Sequence, residues 1–188
     1  MEALTRRTLF IAPLVLAGIA LPLWVRREDA SSVVDTNEEV DIVEFNDAGV
    51  SLGPTRVKKM VRSNSEWRKL LTSEQFYVTR QQGTDTAFSG TYHEMHASGL
   101  FRCICCADAL FSSDTKFDSG TGWPSFWAPI APENVRTRSD RSLLIQRTEV
   151  HCTRCDAHLG HLFNDGPEPT YQRYCMNESS LRFLPHTL

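Results

Sequence analysis

The chain has 188 residues, which is the length of one domain with some additional sequence. Its hydrophobic content of 41%, charged content of 23% and formal net charge of -3 are those of an ordinary globular protein. Removing residues 1–27 takes away four arginines and one glutamate, which leaves the remainder more acidic. Because no basic block is left, the composition argues against a nucleic-acid partner.

Residues 1–27 have the features of an export signal. Arg6 and Arg7 precede an apolar run over residues 9–25, a pattern that resembles a twin-arginine signal. The run has 17 residues, at the lower end for crossing a bilayer, so an uncleaved membrane anchor is the alternative. The sequence therefore predicts an exported protein, periplasmic or anchored facing the periplasm, with membrane contact only through residues 9–25.

Residues 28–60 are predicted to form a linker and lead-in strands ahead of a main domain at 61–188. Apolar residues between Val40 and Phe45 are followed by Asn-Asp-Ala-Gly at 46–49. These four residues are typical of a tight turn, and a short apolar stretch follows them. We therefore expect a β-hairpin in this region.

Two short helices are predicted at the start of the main domain. Ser63 and Glu66 have the spacing of a capping box, and Trp67 and Leu70 follow at helical spacing. A second, shorter helix is expected to begin near Ser73.

From residue 91 onwards, short apolar runs are separated by glycine, proline, asparagine and aspartate. Residues 142–146 and 181–184 are two such runs, and residues 119–122 and 164–167 have typical turn composition. The pattern predicts a compact antiparallel β domain.

Four of the six cysteines form two Cys-x-x-Cys pairs, Cys103 with Cys106 and Cys152 with Cys155. Each pair offers two thiolates from one tight turn, so together they predict a closed tetrahedral Zn²⁺ site, which is structural and has no catalytic position. Two disulfides are the alternative, because an exported protein can form them. The spacing leaves Cys105 outside both pairs.

The last cysteine lies in Arg-Tyr-Cys-Met-Asn at 173–177. If this segment is extended, Arg173, Cys175 and Asn177 share one face. A guanidinium beside a thiol favours the thiolate, and an amide can hydrogen-bond a substrate, which is typical of a reactive cysteine. A buried, inert cysteine is the alternative.

The loop at 122–127 places Trp123 and Phe126 between glycine and proline residues. Aromatic rings in such a loop suit a small apolar contact, for example a methyl group, and ordinary core packing is the alternative.

His158 and His161 lie three residues apart, and Asp165 follows four residues later. A histidine donates protons near neutral pH and a carboxylate can orient it, so this stretch predicts an acid–base group. A second metal pair is the alternative. Glu149, beside His151, is expected to be a polar residue of the surface.

These stretches in combination resemble the zinc-containing branch of the B-type methionine-(R)-sulfoxide reductases. The resemblance covers about residues 60–186 and rests on residues 119–126, 147–150, 158–163, 165–167 and 173–177. It implies a mainly β fold, with two antiparallel β-sheets, a few short N-terminal helices and a structural zinc site. It also implies thiol-dependent reduction of methionine-R-sulfoxide, free or in oxidised proteins.

The resemblance implies a role for each catalytic residue. Cys175 attacks the sulfoxide sulfur and becomes a sulfenic acid, and Arg173 lowers its pKa. His161 and Asn177 bind the sulfoxide oxygen or its water. His161 also supplies protons, and Asp165 holds its ring. The implied substrate contacts are Trp123 for the methyl group and Phe126. His158 is expected either to line the substrate pocket or to support the residues that do.

One position departs from the family pattern. Many members carry a resolving cysteine where this chain has Thr121. The sulfenic acid must then react with Cys105 or with an external dithiol, such as a thioredoxin-like reductant. The sequence leaves both routes open.

Two other functions are compatible with parts of the sequence. A zinc-stabilised β domain can serve as a binding module with Cys175 buried, and a thiol redox sensor can use the same cysteine without reducing sulfoxides. The aromatic loop and the histidine pair favour the reductase, because a sensor needs neither.

Overall fold

A computed structural model describes residues 37–141 and 146–186 of the chain. The predicted signal at 1–27, the first part of the predicted linker and most of the apolar run at 142–146 lie outside the described residues. Among the residues described, no helix is long and apolar enough to cross a membrane.

The described chain is mainly β. Its helices are α1 (Asn64–Leu70) and α2 (Ser73–Gln81), and single 3₁₀ turns lie at Ser113–Thr115, Pro132–Asn134 and Glu178–Ser180. Its strands are β1 (Glu39–Phe45), β2 (Ser51–Lys58), β3 (Gly99–Cys103), β4 (Ala109–Ser112), β5 (Lys116–Phe117), β6 (Ser125–Phe126), β7 (Val135–Asp140), β8 (Arg147–Cys152), β9 (His158–Phe163), β10 (Arg173–Met176) and β11 (Leu181–Pro185).

Both helices begin with reciprocal side-chain caps. The Ser63 hydroxyl accepts from the backbone N–H of Glu66, and the Glu66 carboxylate accepts from that of Ser63, so the predicted capping box is confirmed. Thr72 and Gln75 form the same arrangement at the start of α2, where the helix was expected near Ser73.

The strands form two antiparallel sheets in the main domain, which confirms the predicted fold class. The larger sheet has six strands in the order β5-β6-β10-β9-β8-β7, and the smaller has three in the order β11-β3-β4. The lead-in strands β1 and β2 pair as the predicted hairpin and form a separate two-stranded sheet.

Aromatic side chains fill the space between the two larger sheets. Phe126 of the six-stranded sheet stacks on Phe111 of the smaller sheet, with ring centroids 4.4 Å apart, and meets Phe101 edge-on at 4.9 Å. Tyr174 and Met176 of β10 are buried in the same cluster. The six-stranded sheet therefore has one face in the core, and its other face is available for a site.

The hairpin is fastened to the main domain through one buried amide. Asn134 accepts from the backbone N–H of Val43 at 2.8 Å, and its amide donates to the carbonyls of Val43 and Ala109. Because buried backbone groups need partners, these bonds fix the position of β1 beside β4.

Candidate active site and metal cluster

Cys175 lies in the middle of the six-stranded sheet, on the face away from the core. It pairs directly with Ser125 on one neighbouring strand and with His161 on the other. His161 in turn pairs with Glu149 on β8, which pairs with Arg138 on β7. Residues paired across antiparallel strands project from the same face, so these five polar side chains form one transverse row.

A cavity of about 110 Å³ opens over this row. It is lined by eight residues: Thr84, Trp123, Arg147, Gly160, His161, Phe163, Cys175 and Asn177. Four of the predicted site residues therefore meet at one place, although they come from the aromatic loop, β9 and the end of β10. The thiol of Cys175 is only half-buried and faces this cavity, unlike a cysteine that merely fills the core.

Burial raises the pKa of the Cys175 thiol above its ordinary value. The charge of Arg173 and hydrogen bonds with Thr121, Arg173 and Ser125 act in the opposite direction but do not outweigh burial. Arg173 therefore lowers the pKa of Cys175, as expected, but burial raises this pKa by more. Without substrate, the raised pKa favours the protonated thiol.

The guanidinium of Arg173 is bound by the carboxylate of Asp165. The carboxylate accepts two hydrogen bonds from Arg173, at 2.8 and 2.9 Å, and hydrogen bonding to this side chain lowers the pKa of Asp165. The guanidinium also lies 4.3 Å from the centroid of the Phe163 ring. The prediction that Asp165 holds His161 is wrong, because this carboxylate is bound to Arg173.

A different carboxylate orients His161. Its Nε2 lies 2.9 Å from Oδ2 of Asp140, and the same oxygen accepts from Arg147 at 2.7 Å. Burial lowers the pKa of His161, and the hydrogen bond to Asp140 partly offsets this effect. A neutral ring with its proton on Nε2 satisfies this geometry, so Nδ1 is then an acceptor.

The amide of Asn177 and the indole of Trp123 are held by one buried loop residue, Asp85. The backbone N–H of Asp85 donates to Oδ1 of Asn177 at 2.9 Å, and its carbonyl accepts from the Trp123 indole at 3.0 Å. The Asn177 amide donates to the carbonyl of Leu159 at 3.2 Å. Both side chains are thus fixed in the cavity wall before any ligand enters.

Phe126 lies on the opposite face of the sheet from this cavity. It pairs with Tyr174, whereas its neighbour Ser125 pairs with Cys175. Side chains alternate along a strand, so a residue next to a site-facing serine must face the core. The prediction that Phe126 contacts substrate is therefore wrong, and core packing describes its position.

Glu149 is buried, with 3% of its surface exposed, and the prediction that it belongs to the surface is wrong. Its carboxylate accepts from Arg138 at 3.0 Å and lies 2.8 Å from Nδ1 of His158. The His158 ring is edge-on to that of His161, with centroids 5.3 Å apart. His158 is buried in this cluster and does not line the cavity, so it supports His161 and has no substrate contact in this geometry.

The four cysteines of the two Cys-x-x-Cys pairs form one buried cluster, as predicted. Their sulfur atoms all lie within 4.8 Å of one another, with 3.6 Å between Cys103 and Cys155 and 3.5 Å between Cys106 and Cys152. Tetrahedral coordination with metal–sulfur distances of about 2.3 Å places sulfur atoms roughly 3.8 Å apart. The cluster therefore fits a four-thiolate metal ion, and all four thiols are free of disulfides.

Each pair closes a tight turn between two strands. A residue with positive φ follows the last cysteine of the first pair, Ala107, and another follows that of the second, Asp156. The N–H of each donates back to the carbonyl of the first cysteine, Cys103 or Cys152, at 2.9 and 3.0 Å. Cys105 lies in the first turn but does not belong to the four-sulfur cluster.

Residues 71–185 match the SelR domain family, which is most of the chain. This chain belongs to the SelR domain family. The matched region contains the four-cysteine cluster and every residue that lines the cavity, and it begins after the β1–β2 hairpin.

The chain is also similar in sequence to several peptide methionine sulfoxide reductases. It is 52% identical over 125 residues to the peptide methionine sulfoxide reductase MsrB of Hahella chejuensis, covering 66% of this chain and 90% of that protein. It is 50% identical over 129 residues to the MsrB of Pseudomonas aeruginosa strain UCBPP-PA14, covering 69% and 98%. The chloroplastic B1 reductase of rice is 54% identical over 121 residues, covering 64% and 56%.

Sequence reasoning did not identify Asp140, Asp85 or Thr84 as site residues. Asp140 lies 21 positions from His161 and Asp85 lies 92 positions from Asn177. Contacts over such separations leave no local pattern, so only the fold reveals them. Arg147 and Glu149 did carry a signal, because both lie in one of the stretches that resemble the reductases.

The buried Glu149 makes the stability of this domain depend on pH. Burial alone raises the pKa of Glu149, but hydrogen bonds with His158 and Arg138 outweigh it and lower the pKa to about 2. Its contribution is fully present above the unfolded value of 4.5 and is lost as the pH falls towards 2. Glu149→Gln is therefore expected to lower the free energy of unfolding at pH 7 by roughly 3 kcal/mol at most.

Denaturant unfolding between pH 2 and pH 7 measures this effect, with the exposed Glu133→Gln as the control. The Glu149 variant should lose stability at pH 7 and should vary less with pH below 4.5 than the original chain. Equal curves for the original chain and the Glu149 variant would show that the buried carboxylate has no such linkage.

The four-cysteine cluster predicts one bound metal ion per folded chain. Cys106→Ser should lose the ion and most of the folded population, because metal binding at such a site contributes directly to folding. Cys105→Ser is the matched control in the same turn and should keep one ion. Elemental analysis of the purified chains measures both, and a folded, metal-free protein with two disulfides would contradict the prediction.

Proposed function

We propose that this chain reduces methionine-R-sulfoxide, free or within oxidised proteins, to methionine with Cys175 as the nucleophile. The observation that carries the proposal is the position of this half-buried thiol in a cavity with Trp123, His161 and Asn177. Membership of the SelR domain family and the names of its relatives support the same reaction.

The cavity has the size that this substrate needs. On this measure of cavity volume one water needs roughly 10–15 Å³, so about 110 Å³ leaves room for several heavy atoms. A methylsulfinyl group with the next methylene has four heavy atoms. The indole of Trp123 provides the apolar wall against which the methyl group packs.

In the first step, the sulfur of Cys175 forms a bond to the sulfoxide sulfur while the sulfoxide oxygen is protonated. The thiol proton leaves as this bond forms. Transfer of the oxygen to Cys175 and departure of the thioether then give methionine and a cysteine sulfenic acid. The sulfoxide sulfur is reduced by two electrons, and the sulfur of Cys175 is oxidised by two.

His161 and Asn177 act on the sulfoxide oxygen. An amide nitrogen has two hydrogens, and Asn177 gives one to the carbonyl of Leu159, so the other is its donor for the substrate. His161, held by Asp140, carries the proton between the thiol and the oxygen as the sulfur–sulfur bond forms. Because the proton is transferred while the sulfur–sulfur bond forms, Cys175 can be protonated before substrate binds.

We propose an external dithiol as the reductant that restores Cys175. Among the described residues, Cys175 is the only cysteine in the cavity wall, and the side chain that hydrogen-bonds its thiol from the aromatic loop is Thr121. The first external thiol condenses with the sulfenic acid to give a mixed disulfide and water. The second displaces Cys175 and leaves as the oxidised dithiol, a role that a thioredoxin-like protein fits.

We propose zinc as the ion of the four-cysteine cluster. Four thiolates in tetrahedral positions are the ligands that this ion prefers, and a closed set of this kind leaves no position for substrate. The ion would hold the two cysteine turns together, and no step of the reaction passes through it.

Turnover of the separated sulfoxide epimers tests the proposed reaction. With dithiothreitol as reductant, the original chain should form methionine from the R epimer and leave the S epimer unchanged. Cys175→Ser should remove all turnover and keep the fold, because it replaces one half-buried atom.

Cys105→Ser is the control for a thiol outside the cavity and should retain full activity with dithiothreitol. Mass spectrometry after one turnover without reductant should find Cys175 as the sulfenic acid and Cys105 unmodified. Substantial turnover by the Cys175 variant would exclude this residue as the nucleophile.

We propose that the chain is exported through a twin-arginine route. Arg6, Arg7 and the apolar run at 9–25 support this, and they lie ahead of the matched family domain. Such a route carries folded proteins, which would allow the thiols to bind metal before export. Replacing both arginines with lysine should retain the full chain in the cytoplasm, and fractionation of an expressing bacterium measures this. Unchanged periplasmic recovery would argue against this signal.

A further inference from the structure

Phe88 is an exposed aromatic residue that packs against the loop carrying Trp123. The residue is 61% exposed, and its backbone has a φ of 62°, a left-handed conformation that bulky residues rarely adopt. Its N–H donates to the carbonyl of Gly122 at 2.9 Å. Its ring lies directly on the backbone of Gly122, where a side chain would meet it.

This position connects Phe88 to the catalytic cavity. Gly122 precedes Trp123, whose ring lines the cavity, and consecutive Cα atoms are only about 3.8 Å apart. On its other side, the segment from Thr84 to Phe88 begins in the cavity wall and is fixed by Asp85. Phe88 is therefore held beside the loop of Trp123, at the end of a five-residue segment that begins in the cavity wall.

Burial does not account for this conformation, because most of the residue is exposed to solvent. The ring has one aromatic neighbour among the described residues, His93, which it meets edge-on with centroids 5.5 Å apart. Unusual backbone conformations that packing does not explain are often associated with function. Phe88 does not itself line the cavity, but its ring packs on Gly122, which directly precedes the cavity residue Trp123.

We propose that Phe88 binds an apolar side chain next to the methionine sulfoxide of an oxidised polypeptide. This inference rests on the proposed function and names its substrate class. When a methionine side chain enters the cavity, the residues before and after it in the polypeptide must lie outside the cavity, close to its opening. In an extended chain each residue spans only about 3.3 Å. Free methionine sulfoxide has no such neighbours and cannot reach Phe88.

Steady-state kinetics with three R-sulfoxide substrates tests this role. The substrates are free methionine sulfoxide, a capped tripeptide with glycine on both sides of it, and one with leucine on both sides. Phe88→Asn removes the ring, and asparagine tolerates the left-handed conformation, so the backbone should be retained. We expect kcat/KM for the leucine peptide to fall about tenfold, which corresponds to about 55 Å² of lost apolar contact. The loss should appear in KM, and the other two substrates should change less than about twofold.

Tyr171→Asn is the matched control. Tyr171 is 58% exposed and also has a left-handed φ, of 56°, but its hydroxyl donates to Glu168 and its N–H to the carbonyl of Pro167, so it is held in a different loop from that of Trp123. This variant should leave all three substrates unchanged, and Phe88→Tyr should keep the preference for leucine. Equal losses on all substrates for Phe88→Asn, or no loss on any, would overturn the proposal.

The two proposals fail in different ways. If the original chain reduces free methionine-R-sulfoxide but Phe88→Asn does not change the ratio between the peptides, only the role of Phe88 is excluded. If the original chain reduces none of the three substrates, both the proposed function and the inference that rests on it are wrong.

Discussion

The register of strand β10 is the constraint on which the site depends. Cys175 pairs with Ser125 and His161, while Tyr174 pairs with Phe126 and Leu162. A slip of one residue would exchange the two faces and bring Tyr174 and Met176 to the cavity. Gly160 secures this close pairing, because any side chain there would overlap the backbone of Cys175. The register thus determines which side chain reacts. The aromatic core on the other face stabilises this register, because a slip would move Tyr174 and Met176 out of the core.

The charges around the site are arranged as pairs, and this arrangement determines how Cys175 behaves. Arg173 is paired with Asp165, and Arg138 with Glu149. The carboxylate of Asp140 serves both Arg147 and His161. Because each of these arginines already has an acidic partner, none acts as an isolated positive charge on the thiol. Burial then dominates the pKa of Cys175, and reaction depends on a proton acceptor and donor at the cavity.

Local patterns predicted the elements that depend on neighbouring residues. The Ser63 capping box, the cysteine pairs and the shared face of Arg173 and Cys175 all follow from spacing within a few residues. The partner of His161 did not follow, because Asp140 reaches it from β7, two strands away in the sheet, while Asp165 is nearer in sequence. The position of Phe126 was predicted wrongly for a different reason. Either Ser125 or Phe126 can face the site, and the strand register that decides between them does not follow from the sequence.

The four-cysteine cluster has no residue in the cavity wall, yet it is joined to it by a short series of hydrogen bonds. Ile104, inside the first cysteine turn, donates to the carbonyl of Ser180 at 3.0 Å. The Ser180 hydroxyl contacts the carbonyls of Asn177 and Leu159, at 2.7 and 3.2 Å. Asn177 is the last residue of this series and lines the cavity. A cluster without catalytic chemistry can therefore still influence activity, because it fixes the turn against which the amide of Asn177 is positioned.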